Sequence, residues 1–357
     1  MPRPDSLGGV NQGEVEGEGD GMLHVQSGGS TGTPKLLLRP AQTWVQSAKV
    51  EAQVFGLTAQ DRFAVVGSER HSLWGYAHFR AAQLGAPCLG IPTPVLLSMD
   101  AAFLSQWEAA APTVLYGVPE LVAMAARRLH RHSQTAASVG FILLGGGPIL
   151  PTLPMALLLS VFPRASVWSF YGTAETSFVG HGRPEDLYEP FPTVEVEIRG
   201  EGDIWVKSPM TISPKEWVKT GDLGRWAECG RFQVLGRAAR QLVIRGDKHV
   251  VEPFEQALMQ RFDLARVALL ANSRGQVCCL VAGCSGEAWA GGPEPAHGLS
   301  LEQVNAACRD HDPGFPGVRR VITLAAKAWP TTPAGKTNFV ALRGFLEGRS
   351  FLEGANT

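Results

Sequence analysis

The sequence predicts an α/β protein in which a large mixed sheet, covered by helices, is followed by a small α+β C-terminal domain. Three observations support this prediction. Short apolar runs alternate with helical patterns from Met22 onward, which is typical of a largely parallel sheet. Residues 194–198 and 202–206 instead alternate with period two, as antiparallel strands with one exposed face do. The length of 357 residues, 45% of them hydrophobic, is enough for two or three packed domains.

The parallel part of the sheet is predicted from four apolar runs and the helical patterns between them. Each run is short and uncharged, as expected of a strand that is buried on both faces. The helical patterns are longer and carry their apolar residues at helical spacing. Strands are predicted at residues 64–66, 114–116, 141–144 and 167–170, and helices at residues 41–55, 78–84, 101–110, 119–130 and 153–162.

The chain is predicted to divide into three parts. Residues 1–21 are polar and Gly-rich, which indicates a flexible lead, and residues 22–238 form the large domain. Residues 239–357 form a C-terminal domain that reads as strand, helix, two strands, helix, strand and a terminal helix. In this domain Pro253 suits the first turn of a helix, and Ser300 with Gln303 forms a capping box at the start of the next.

The composition argues against several classes of partner. The chain has 32 Lys and Arg against 33 Asp and Glu, so it lacks the basic footprint of a nucleic-acid-binding protein. The charge-free stretch at residues 132–163 is interrupted by glycines and prolines, so no membrane span is predicted. Six cysteines without a C-x-x-C spacing indicate reduced thiols. The protein is therefore predicted to be cytoplasmic.

One Gly-rich loop is suited to binding a polyphosphate. It lies between a short apolar strand and a helical pattern, and it offers backbone N–H groups, hydroxyls and an ammonium group to an anion. Its members are Ser27, Gly28, Gly29, Ser30, Thr31, Gly32 and Lys35. A plain Gly/Ser turn is the structural alternative. The stretch also satisfies G-x-S-x-G, the nucleophile elbow of α/β-hydrolases, but Pro34 stands where the helix of an elbow should start and only 27 residues precede it.

Further along the chain, short motifs follow in a fixed order: Gly-Gly-Gly-Pro at 145–148, Tyr-Gly-Thr-Ala-Glu at 171–175, Thr-Gly-Asp at 220–222, Gly-Arg at 236–237 and Pro-Ala-Gly-Lys at 333–336. Each motif alone is weak. In this order, together with the Gly-rich loop, they resemble the adenylate-forming superfamily of acyl- and aryl-CoA synthetases, nonribosomal adenylation domains and luciferases. The resemblance extends from about Val25 to Leu342.

The resemblance implies a role for each motif. The Gly-rich loop would hold the β- and γ-phosphates of ATP, and Gly145, Gly146 and Gly147 would form a floor under the adenine. The remaining nucleotide contacts would come from the ring of Tyr171 on the adenine, from Gly172 and Thr173, from Asp222 with Arg237 at the ribose, and from Glu175 as a ligand of Mg²⁺. Lys336, on the C-terminal domain, would stabilise the charge that develops when the acid attacks the α-phosphate.

The acid pocket is expected around residues 70–76 and 177–179. Its candidate lining residues are His71, Trp74, Tyr76 and Phe178, with Trp168 as a further aromatic, although some of these side chains could simply fill the core. Such a pocket favours an aryl or mid-sized acyl acid. The expected reaction forms an acyl-adenylate and then a CoA thioester. The alternatives are transfer to a carrier protein or another acceptor, and a non-catalytic remnant that depends on a partner.

Three departures from the family pattern carry expectations of their own. Ala174 replaces a hydroxyl that would contact the α-phosphate, and Ala239 followed by Arg240 replaces an acidic hinge, so a polar hinge contact is expected to be lost. Little chain precedes the Gly-rich loop, whereas the family usually has an N-terminal subdomain there. Apolar side chains in the helices at 41–55 and 101–110 are therefore expected to be exposed and to favour a homodimer, unless they pack inward; these are Trp44, Val45, Phe103, Leu104 and Trp107.

Overall fold

The computed structural model describes residues 21–27, 35–69, 71–98, 101–149, 153–184, 187–244, 246–284, 299–325, 328–332 and 336–348. The large domain begins with the hairpin β1 (Met22–Ser27) and β2 (Lys35–Pro40). The helices of this domain are α1 (Ala41–Phe55), α2 (Ser72–Leu84), α3 (Thr93–Ser98), α4 (Ala101–Ala110), α5 (Pro119–Arg131) and α6 (Met155–Val161). Its further strands are β3 (Phe63–Gly67), β4 (Cys88–Pro92), β5 (Val114–Gly117), β6 (Phe141–Leu144), β7 (Ser166–Thr173), β8 (Ser177–Gly182), β9 (Leu187–Pro190), β10 (Glu195–Arg199), β11 (Asp203–Lys207), β12 (Val218–Trp226) and β13 (Phe232–Arg237).

Eleven described strands form one mixed sheet. β4, β3, β5, β6 and β7 lie side by side and parallel. The antiparallel strands β8, β9, β13, β12, β11 and β10 extend the sheet beyond β7. One face of the parallel part packs against α3, α4, α5 and α6, and the other face packs against α1 and α2. The prediction of a helix-covered mixed sheet is confirmed.

The C-terminal domain is built around a three-stranded sheet. After a 3-10 turn at Ala238–Arg240 come β14 (Leu242–Ile244) and β15 (Asp247–His249), which form a hairpin. The sheet contains β16 (Leu264–Ala271), β17 (Val277–Cys284) and β18 (Arg320–Leu324), and α7 (Glu252–Phe262) and α8 (Leu301–His311) cover one face. α9 (Phe339–Leu346) packs on the other face. The predicted capping box of Ser300 and Gln303 is present, and Pro253 lies in the first turn of α7. The predicted boundary at 238/239 falls in the 3-10 turn, and residues 1–20 of the predicted lead lie outside the described residues.

Several predicted elements match the structure closely, but α6 is shorter than predicted, and β2 and α3 were not predicted. α1 and α4 have the predicted bounds, but α2 begins at Ser72 rather than at residue 78. The reason is that His71 caps α2: its Nδ1 accepts a hydrogen bond from Leu73 N at 3.2 Å. The sequence did not indicate β4, β8, β9, β12 or β13, since these strands contain Gly, Pro or charged residues that break the apolar pattern.

The expectation of exposed apolar side chains on α1 and α4 is wrong. Phe103 and Trp107 are each 5% exposed and pack into the core beneath the sheet. Trp44 is 8% exposed and lies against Tyr76 at 5.6 Å between ring centroids. Val45 and Leu104 are half-buried. Because these side chains pack inward, they give no support to the predicted homodimer.

The expectation that a polar contact is lost at the connection between the domains is also wrong. Arg240 donates to Glu255 Oε1 at 2.6 Å and forms an ion pair with Glu252 at 3.2 Å. Its guanidinium also lies 3.7 Å from the centroid of the Phe339 ring. The basic residue at this position therefore pairs with two acidic residues of α7, twelve and fifteen positions further along the chain.

Candidate active site

The parallel strands end at a cavity of about 650 Å³ that the C-terminal domain borders on its other side. His71 follows β3, Tyr116 lies near the end of β5, Gly146 and Gly147 follow β6, and Tyr171 lies near the end of β7. Carboxyl ends of parallel strands are the usual place for ligands in an open α/β sheet, because the loops that follow the strands converge there. The cavity has a polar end near Asp222 and an apolar end near Tyr116.

Asp222 is the centre of the polar end. Its carboxylate is buried, accepts a hydrogen bond from Tyr171 Oη at 2.7 Å and forms an ion pair with Arg237 Nε at 2.9 Å. Burial raises the pKa of Asp222, and the guanidinium of Arg237 and the Tyr171 hydroxyl oppose that rise. Each carboxylate oxygen keeps a further lone pair, so Asp222 can still accept hydrogen bonds from a ligand hydroxyl.

The ring of Tyr171 lines the cavity and is fixed on two sides. It lies 5.8 Å from Tyr188 and 5.9 Å from Phe232 between ring centroids, and its hydroxyl is held by Asp222. Gly172 follows at a shift in the β7–β8 register, where a Cβ atom would collide with the carbonyl oxygen of Ser177. Glycine at 172 is therefore what allows the turn after β7 to form.

The turn that carries Glu175 is tied down by its neighbours. Thr173 N donates to Thr176 Oγ1 at 3.1 Å, and Glu175 O accepts from Ile212 N at 2.8 Å. Arg39 Nη1 donates to Ala174 O at 3.0 Å, directly before Glu175. The backbone is thus fixed on both sides of the Glu175 carboxylate, which lines the cavity.

Arg39 is a site residue that the sequence motifs did not indicate. It is 1% exposed, and its other donors bond to Thr43 Oγ1 at 2.9 Å and to Met210 O at 2.5 Å. Burial lowers the pKa of Arg39 to about 10. The sequence signal that could have indicated Arg39 was its position in β2, shortly after the Gly-rich loop.

Lys336 reaches the cavity from the C-terminal domain. Its backbone lies in a loop closed by the bridge between Thr331 and Thr337 and by the bond from Thr332 N to Lys336 O at 2.7 Å. Burial lowers the pKa of Lys336, Arg237 lowers it further, and Glu120 and Asp222 oppose the effect. The ammonium group of this C-terminal residue is thus held among charges of the large domain.

His71 is a neutral hydrogen-bond donor in this site. Burial, and then the charge of Lys336, lower its pKa to about 4. Because Nδ1 accepts from Leu73 N, the neutral ring carries its proton on Nε2. His71 lines the cavity, so it can offer this N–H group to a ligand.

The apolar end of the cavity is lined by large side chains from both layers of the large domain. Tyr76 and Phe178 are there as predicted. Trp74 and Trp168 do not line the cavity: Trp74 packs at a tilt against His78, four residues further along α2, and Trp168 lies against Phe55 and His181. The lining residues of the apolar end are Val25, Trp44, Leu73, Tyr76, Tyr116, Phe170 and Phe178.

The three glycines of 145–147 divide between the core and the cavity. A Cβ atom at Gly145 would collide with the ring of Phe170, so this glycine makes room for a side chain of the protein itself. Gly146, with φ +73°, and Gly147 line the cavity. A Cβ atom at Gly147 would lie 3.6 Å from Oε2 of Glu120, which also lines the cavity.

The predicted phosphate loop lies mostly outside the described residues: this holds for Gly28, Gly29, Ser30, Thr31 and Gly32. Ser27 and Lys35 are backbone partners at the end of the β1–β2 hairpin where residues 28–34 connect the two strands. Val25 and Arg39 of the same hairpin line the cavity, so the loop starts and ends on strands that border the site.

None of the described helices is long and apolar enough to span a membrane.

Comparisons with known proteins give relatives for most of the chain. It is 28% identical over 256 residues to YhfT, an uncharacterized acyl-CoA ligase of Bacillus subtilis, which covers 65% of this chain and 51% of that protein. It is 26% identical over 355 residues to a salicyl-AMP ligase / salicyl-S-ArCP synthetase of Mycobacterium tuberculosis, which covers 89% of this chain and 60% of that protein. The chain thus spans between half and two thirds of the length of these relatives.

A solved structure shows the same fold. The amide bond synthetase McbA from Marinactinospora thermotolerans superposes with a TM-score of 0.71 at 22% identity, over 88% of this chain and 68% of that one. The AMP-binding enzyme family matches residues 18–213, which is more than half of the chain and includes the motifs up to Glu175. The chain therefore belongs to the AMP-binding enzyme family, within the adenylate-forming superfamily that its motifs resemble.

Proposed function

We propose that this protein uses ATP to activate a small carboxylic acid, forms an acyl-adenylate with release of pyrophosphate, and then transfers the acyl group to CoA. The observation that carries the proposal is that residues of four separate motifs line one cavity. Gly147, Glu175, Asp222 and Lys336 lie far apart in the sequence, yet all four border it. A chain that had only kept the fold would have no physical reason to bring these groups together.

The polar end suits the nucleotide. Asp222 would accept the ribose hydroxyls, and Arg237, which is bonded to it, would donate to oxygens of the sugar. The ring of Tyr171 offers the adenine an aromatic face, while Gly146 and Gly147 leave room for the base. Because the Asp222 carboxylate is already fixed by two protein donors, little conformational entropy is lost when it binds the ribose.

The residues present fit a magnesium ion held mainly by substrate oxygens. Among the described residues no group of three or more His, Cys, Asp or Glu side chains could hold a metal by itself. The single carboxylate of Glu175 fits Mg²⁺, which proteins often bind through one or two carboxylates together with phosphate oxygens. Such an ion would neutralise phosphate charge.

Adenylation would begin with the acid's carboxylate attacking the α-phosphorus of ATP. A bond forms between the carboxylate oxygen and phosphorus, and the bond to pyrophosphate breaks. Lys336 would stabilise the negative charge on the reacting oxygens, while His71, neutral at physiological pH, would donate its Nε2–H to the acid. In the second step the CoA thiol would attack the acyl carbonyl, and AMP would leave.

The experiment that tests adenylation is acid-dependent ATP–pyrophosphate exchange over a panel of carboxylates. We expect exchange with at least one acid, and a fall of roughly two to four decades in kcat for Lys336→Ala with little change in ATP affinity. Lys219→Ala is the matched control, since Lys219 pairs with Asp203 on the surface and lies outside the cavity. Absence of exchange with every acid, or normal exchange by the Lys336 variant, contradicts the proposal.

Addition of CoA to an active mixture then tests the acceptor. A thioester and stoichiometric AMP support CoA as the acceptor. A second candidate is transfer to a carrier protein, which is favoured by the name of the salicyl-S-ArCP synthetase to which this chain is similar over 89% of its length. Exchange that is not followed by thioester formation with CoA would favour this second candidate.

A further inference from the structure

The apolar end of the cavity is built around the ring of Tyr116. This ring is stacked on Phe170 with an interplanar angle of 13° and 5.3 Å between centroids. The Arg80 guanidinium lies 4.5 Å from its centroid, and Tyr76 lies 6.4 Å away. The side chain is 1% exposed and lines the cavity. Its position is thus fixed by rings and a buried cation.

A buried ion pair lies behind this ring. Glu51 and Arg80 are both fully buried, and Arg80 Nη1 donates to Glu51 Oε1 at 2.7 Å. The other carboxylate oxygen accepts from Tyr76 Oη at 2.9 Å. Neither Glu51 nor Arg80 lines the cavity. The charge that does line the cavity beside this end is that of Arg39, whose guanidinium lies 5.7 Å from the centroid of the Trp44 ring.

The hydroxyls of the two tyrosines that line this end differ in one respect. The hydroxyl of Tyr76 is bonded to Glu51, whereas no described residue forms a hydrogen bond with the hydroxyl of Tyr116. A hydroxyl taken out of water without a partner costs free energy, so a site that contains one favours a ligand that supplies the partner. The hydroxyl of Tyr116 can form such a bond with a ligand at the apolar end.

We infer that Tyr116 is a specificity-determining residue, and that the acid is a flat aromatic acid with a hydrogen-bonding substituent, such as a ring hydroxyl, that pairs with the Tyr116 hydroxyl. This inference rests on the proposed adenylation. The surrounding rings select a flat apolar body, since aromatic pairs are favourable in stacked and edge-to-face arrangements. The hydroxyl of Tyr116 then distinguishes a substituted ring from a bare one.

The test compares benzoate with 2-, 3- and 4-hydroxybenzoate in ATP–pyrophosphate exchange, using wild type, Tyr116→Phe and Tyr76→Phe. We expect the wild type to prefer at least one hydroxybenzoate over benzoate by about ten- to a hundredfold in kcat/KM. Tyr116→Phe keeps the ring stacking and should reduce this ratio to within about threefold, mainly by losing activity toward the hydroxybenzoate. Tyr76→Phe removes a hydroxyl that already has a partner, so it should retain the preference. Thermal unfolding of each variant shows whether it is folded.

The possible failures are distinguishable. Equal use of benzoate and all hydroxybenzoates, preference for aliphatic acids, or an unchanged preference in Tyr116→Phe overturns the inference and leaves adenylation standing. No exchange with any acid overturns the proposed function. In that case calorimetric titration of wild type and Tyr116→Phe with the same four acids still decides the inference. Binding of a hydroxybenzoate that is tighter than binding of benzoate in wild type alone supports it. Equal binding of the four acids, or no binding, overturns it.

Discussion

The cap of helix α2 makes the stability of the protein depend on pH. The folded pKa of His71 is about 4, against an ordinary value of 6.5, because the ring is buried and faces Lys336. The folded state therefore binds fewer protons than the unfolded state between these values. The resulting stability is fully present above pH 6.5 and is lost as the pH falls toward 4. From the two pKa values, lowering the pH from 7 to 5 should cost about 2 kcal/mol of unfolding free energy through this residue alone.

The variant His71→Asn isolates this effect. Asparagine keeps an oxygen that can cap α2 but does not titrate, whereas His71→Ala removes the cap as well and should cost about 1 kcal/mol at every pH. Urea unfolding of the wild type and both variants at pH 7 and pH 5 gives the comparison. We expect the difference between wild type and His71→Asn to change by about 2 kcal/mol between the two pH values. A difference that is the same at pH 7 and pH 5 would refute the argument that His71 is neutral in the folded protein.

Two further predictions concern buried carboxylates. Asp222→Asn should raise the apparent KM for ATP by roughly ten- to a hundredfold, because the charged acceptor that contacts Tyr171 and Arg237 is lost. Asp203→Asn, on the surface, is the control. An unchanged ATP titration in the Asp222 variant would place the ribose elsewhere. Arg80→Met should lower the unfolding free energy by about 3–5 kcal/mol, since it leaves Glu51 charged, buried and without its cation. Adding Glu51→Gln to this variant should restore much of the lost stability. Strictly additive effects in this double-mutant cycle would contradict the coupling.

The sequence predicted those parts of the fold and site that depend on local pattern. α1 and α4 have the predicted bounds because their helical spacing is uninterrupted, and the capping box at Ser300 forms because both of its members lie within one turn. The start of α2 was missed because histidine is an unusual N-cap, and its use here depends on the burial of the ring. A local pattern contains no information on burial.

What the sequence could not predict is the set of bonds between distant residues that determines how each site residue acts. Tyr171 donates to a carboxylate 51 positions away, and Arg39 connects β2 to a carbonyl oxygen 171 positions away. The same limit applies to Trp74 and Tyr76, which both looked like pocket residues. The start of α2 sets which of its residues share a face of the helix, so Tyr76 lines the cavity while Trp74 packs against His78. The motifs therefore indicate which groups are present, and the fold decides which of them still have a hydrogen bond to give. By that criterion we infer a role in the choice of acid for Tyr116, which belongs to no motif.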